Sequence, residues 1–74
     1  MINKEMIDNS IRKHLFEEIH EFKENIIKET NSEIKNFELL VGGRCHFTLI
    51  PENASKYFEV EIASEAVIIE ELIK

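Results

Sequence analysis

The stretch FELLVGGRCHFTL, residues 37–49, holds both glycines of the chain, its only cysteine and one of its three histidines. Before the glycines, Phe37, Leu39 and Val41 alternate with Glu38 and Leu40; after them, Cys45, Phe47 and Leu49 alternate with His46 and Thr48. Period-two patterning on both sides of a glycine pair is the mark of two half-buried strands joined by a turn. A two-residue loop at Gly42-Gly43 would set Leu39 against His46 and Phe37 against Thr48, mixing apolar and polar residues on one face. A three-residue loop, Gly42-Gly43-Arg44, pairs Val41 with Cys45, Leu39 with Phe47 and Phe37 with Leu49, and gathers all of them on the buried face. Such loops need positive φ, which glycine adopts at little cost. The crowded stretch therefore reads as a hairpin, with Cys45 packed as a small apolar residue.

Downstream, PENAS (51–55) is a turn by composition. Phe58, Val60 and Ile62 then alternate with Glu59 and Glu61, which completes a three-stranded antiparallel meander over 36–63. The tail SEAVIIEELIK (64–74) allows two readings. As a short helix it is capped by Ser64 and sets Ala66, Ile69, Leu72 and Ile73 on one side, although Val67 fits badly. As a fourth strand it runs through AVIIEEL. The helix is the preferred reading and the strand its alternative.

Upstream, Ile7, Ile11, Leu15, Ile19, Phe22 and Ile26 follow at steps of three or four with no proline or glycine between them. At about 100° per residue they share an arc of roughly 120°, which predicts one amphipathic helix over 3–30. Asn3 can cap its start, and Thr30-Asn31-Ser32 favours its end. Such a helix would run about 42 Å, against strands of about 20 Å. The sheet could not cover the whole stripe, and Ile2, Phe16 and Ile27 widen it. A surplus apolar surface of that kind predicts a homodimer or larger homo-oligomer, with Ile7, Ile11, Leu15, Phe16, Ile19, Phe22 and Ile26 in the interface. The alternative is a helix broken near Asp8-Asn9, with both pieces folded onto the sheet.

The expected architecture is thus α+β in a single domain over 1–74. At 74 residues the chain buries little core, and one cysteine excludes an internal disulfide and suits a reducing compartment. MINKEMIDNS has no apolar signal core and no run reaches membrane-spanning length, so a cytoplasmic location is expected. Nine basic against fifteen acidic residues give a net charge of −6. The acid excess is heavier after Asn36. With no basic stripe, direct nucleic-acid binding and anionic membranes are disfavoured. A basic protein partner is favoured by the same field.

Chemistry is sparse. His14 and His20 lie about 120° apart on a helix, and Cys45 and His46 point to opposite faces of a strand. No CxxC, HExxH, GxGxxG, P-loop or GxSxG pattern is present. No metal, no cofactor and no catalytic residue is expected, and the chain reads as a non-enzyme. One polar constellation stands out. Arg44 in the glycine turn, where backbone amides can form an anion-binding concavity, joins His46, Thr48 and Tyr57 on the less apolar face of the sheet. Two functions follow. The first is a small acidic, self-associating interaction module acting as an inhibitor, neutraliser or adaptor. The second is a binder of small anionic ligands, with Arg44 and His46 in a pocket at the oligomer interface.

Overall fold

The computed structural model describes residues 2–64 and 66–74. Two helices, α1 (Lys4–His14) and α2 (Ile19–Thr30), precede four strands, β1 (Ser32–Leu39), β2 (Cys45–Pro51), β3 (Lys56–Ala63) and β4 (Ala66–Ile73). The strands form one antiparallel sheet in the order β1-β2-β3-β4. Both helices lie on one face, α2 beside β1 and α1 beside β4.

The single long helix is corrected to a helical hairpin. Asn3 caps α1, its side chain accepting the Met6 amide at 2.9 Å, and Asn31 closes α2 in the left-handed region at φ 48. The ends therefore fall where the cap residues place them. The break lies at Leu15–Glu18, not at Asp8-Asn9. Glu18 is extended (φ −59, ψ 146), and its carboxylate accepts the amides of His20 and Glu21, starting a second helix. The physical reason is length. The Cα trace spans only 33 Å along its longest axis, so an uninterrupted helix of about 42 Å would leave apolar turns in water. Folding back buries both halves of the stripe instead.

The core is the helix-covered face. Ile7, Ile11, Phe22 and Ile26 from the helices meet Cys45, Phe47, Leu49, Phe58, Val60 and Ile62 from the strands, all of them buried. Phe47 sits at its centre, edge-on to Phe22 (centroids 6.3 Å, 76°) and stacked with Phe37 (5.8 Å, 23°). Each such side chain contributes about 1.5–3 kcal/mol by leaving water.

The hairpin turn is confirmed, with φ +80 at Gly42 and +76 at Gly43, but its register is corrected by two residues. Val41–Gly43 forms a single 3-10 turn, the Leu40 amide donates to the Arg44 carbonyl at 2.7 Å, and Leu39 pairs with Cys45. Cys45, Phe47 and Leu49 keep their inward direction because a two-residue slip preserves parity. Val41, expected opposite Cys45, is 94% exposed. A β-bulge at Asn36-Phe37, with Asn36 at φ 56, then restores the inward direction of Ile34 opposite Leu49.

The tail is the fourth strand, not the helix. Val67, Ile69, Glu71 and Ile73 pair with Ile62, Val60, Phe58 and Lys56. Three consecutive β-branched residues, Val67 to Ile69, favour a strand, and β3 offers an unpaired edge to receive it. The meander therefore has four strands.

Candidate functional site: the open face of the sheet

No helix covers the opposite face of the sheet. The register puts Glu33, Lys35 and Glu38 of β1 on it, opposite Ile50, Thr48 and His46 of β2. His46 and Thr48 also stand opposite Glu61 and Glu59 of β3, and Tyr57, Glu59 and Glu61 stand opposite Leu72, Glu70 and Ile68 of β4. Arg44, just before β2, reaches this face by donating from its guanidinium to Glu61 at 2.9 Å.

All four residues expected to form a ligand site, Arg44, His46, Thr48 and Tyr57, thus fall on one face. Their partners change what they can do. His46 Nε2 lies 3.2 Å from a Glu59 oxygen, and the Thr48 hydroxyl donates to the other Glu59 oxygen at 2.8 Å. Arg44 is committed to Glu61. An incoming anion would have to displace carboxylates already held and then sit among the remaining ones. The face carries five glutamates against Lys35 and Arg44, a formal −3, which is half the charge of the whole chain. His46, Glu59, Glu61, Ile68 and Glu70 line a small depression in it. Partly exposed ion pairs of this kind contribute little to stability.

The glutamates were visible as the polar half of the β3 alternation. Their convergence was not, because it depends on which strands neighbour β3 and in what register.

A second polar cluster was missed entirely. His14, the last residue of α1, is buried, with Nδ1 2.6 Å from Glu17 and Nε2 2.8 Å from Glu29. Ser10 donates to Glu29 at 2.8 Å and Asn25 to Glu17 at 2.7 Å, while Lys13 lies 3.4 Å from Glu29. Both ring nitrogens face carboxylate oxygens, which only donate-capable imidazolium satisfies on both sides. These hydrogen bonds raise the His14 pKa above 6.5 in spite of burial. The bond from His14, then that from Ser10, holds Glu29 at about 2. Bonds from His14 and Asn25 likewise lower Glu17. The cluster ties α1, the interhelical turn and α2 together, a structural clasp.

The expected oligomer interface is largely internal. Ile7, Ile11, Phe22 and Ile26 fill the chain's own core and Leu15 packs against it. That corrects the premise that the helical stripe lies outside the chain. Of the expected set, Phe16 at 98% and Ile19 at 38% remain exposed. Cys45 is buried, and desolvation pushes its thiol pKa up, which disfavours the nucleophilic thiolate. Among the described residues no cluster of three His, Cys, Asp or Glu side chains is arranged to hold a metal ion, and no helix is long and apolar enough to cross a membrane. No family model, curated protein or solved structure matches the chain.

Proposed function

We propose that the protein is a non-enzymatic interaction module that docks a basic segment of a protein partner on the open face of its sheet, and so acts as an inhibitor, neutraliser or adaptor. The observation that supports this reading is the formal −3 on that face, with both of its full cations already beside glutamates. Ile50, Tyr57, Ile68 and Leu72 supply apolar area among the charges, the mixture that steers a partner in and then holds it. The alternative, an anionic ligand gripped by Arg44 and His46, works against these same carboxylates.

Calorimetric titration with a lysine-rich heptapeptide tests the reading. Binding is expected to weaken about tenfold, or about 1.4 kcal/mol, in the Glu59→Gln, Glu61→Gln, Glu70→Gln triple variant. It should also weaken as salt shortens the Debye length below about 10 Å. Equal affinity for the triple variant, or equal affinity for a glutamate-rich peptide, would contradict it. Self-association is a separate matter: of the expected interface only Phe16 and Ile19 are left outside, and sedimentation equilibrium decides whether they suffice.

A further inference from the structure

The two edges of the sheet are built differently. β1 is interrupted by its bulge and studded with Glu33, Lys35, Asn36 and Glu38, devices that discourage another strand from pairing. β4 has no bulge, and its only charged residues are Glu70 and Glu71. Its eight residues pair with β3 without a shift, and AVIIEELI contains no lysine, proline or glycine. The Lys74 amide donates to the Ser55 carbonyl at 2.9 Å. By strand alternation the backbone groups of Ala66, Ile68, Glu70 and Leu72 then also face β3, and those of Val67, Ile69, Glu71 and Ile73 face outward. Among the described residues, no backbone hydrogen bond outside the sheet ladder engages the outward groups.

We infer that this edge takes an extended segment of the protein partner as a fifth strand, one whose residues alternate between basic and apolar. The inference rests on the reading of the open face as a basic-partner surface and adds the mode of binding. Charge complementarity fixes the occupant. On the open side the new strand's side chains would stand beside Ile68, Glu70 and Leu72, with Glu59 and Glu61 one strand further in. Basic residues fit there. On the other side they would stand beside Val67, Ile69 and Ile73, with Glu71 between the last two, and Val67 and Ile69 share a depression with Lys4, Glu5 and Asp8 of α1. Apolar residues fit there. A second copy fits worse, since pairing β4 with itself crowds two pairs of Glu70 and Glu71 into one ribbon, and like charges across strands are destabilising. Strand addition supplies main-chain hydrogen bonds for affinity and alternate side chains for specificity.

The test uses a heptapeptide of alternating lysine and valine, with a lysine-rich peptide lacking the valines as reference. On saturation with the alternating peptide, hydrogen exchange should slow at the Val67, Ile69 and Glu71 amides of the wild-type protein. Glu71→Pro removes one outward amide at an edge, where proline is tolerated. It should weaken the alternating peptide about tenfold and leave the reference peptide unchanged, while Glu71→Gln, which keeps the amide, should change either by less than about threefold. No slowing at these amides, or no loss with Glu71→Pro, would overturn strand addition while the reference peptide still reports on the open face. A wild-type dimer that Glu71→Pro dissociates would overturn the assigned occupant and give the edge to a second copy.

Discussion

The two faces of the one sheet obey opposite rules. Under the helices, Phe47, Leu49, Phe58 and Val60 are completely buried, and packing explains them. On the other side Arg44, His46, Thr48, Glu59 and Glu61 form a lattice of ion pairs and hydrogen bonds. A small chain needs the first face in order to fold. The second is left to chance or to function, and its excess of glutamate is difficult to attribute to folding, because unbalanced like charge opposes compaction.

Substitutions on each face make that contrast measurable. The largest effect is expected from Phe47→Ala, which removes the ring that Phe22 and Phe37 pack against. A loss of about 3–5 kcal/mol in chemical denaturation is predicted, enough to unfold much of a domain this small.

Next comes the clasp that holds the helical lid over the buried face. A raised His14 pKa contributes stability that is complete below 6.5 and disappears as pH climbs through the folded value. Depressed Glu29 and Glu17 contribute stability that is complete above 4.5 and disappears as pH falls, toward about 2 for Glu29. Thermal melts should therefore show a plateau of maximal Tm between about pH 4.5 and 6.5 with a decline on both sides. His14→Gln should lower Tm on the plateau and remove most of the alkaline decline.

Smaller effects belong to the exposed residues. Arg44→Ala frees Glu61 and should leave stability within about 0.5 kcal/mol while tightening a lysine-rich peptide by about two- to threefold. Looser binding would show that Arg44 itself meets the ligand. Phe16→Ser, at a side chain 98% exposed, should change stability least of all, again within about 0.5 kcal/mol. Sedimentation of the same variant beside the wild type reports whether Phe16 holds copies together.

The contrast between the faces also explains what the sequence made legible. Alternation in Cys45-Phe47-Leu49 and Phe58-Val60-Ile62 marks the buried face because packing acts on single residues and leaves a local trace. Asn3, Thr30 and Asn31 mark helix ends for the same reason, through their own caps. The turn at Leu15–Glu18 leaves no such trace. It lacks glycine and proline, and its cap is a glutamate, which is a common residue inside helices. Leu15, Ile19 and Phe22 keep helical spacing straight across it, so only the length of the sheet forces the break. The first half of β1, before Phe37, was hidden because Ile34 is the one apolar residue among Ser32, Glu33, Lys35 and Asn36, and the bulge at Asn36-Phe37 spoils its period. The bonds between elements in the His14 clasp and the acidic lattice join residues 8–19 positions apart in sequence, and no pattern within one element can announce them.

On the function proposed above, a basic partner meets the open sheet face and not the helices. Backbone and side-chain chemical-shift mapping during titration with the lysine-rich heptapeptide tests it most directly. Shifts concentrated at His46, Thr48, Glu59, Glu61 and Glu70, with α1 and α2 unmoved, are the result expected. Shifts centred on the helices or on the Phe16 turn would contradict it.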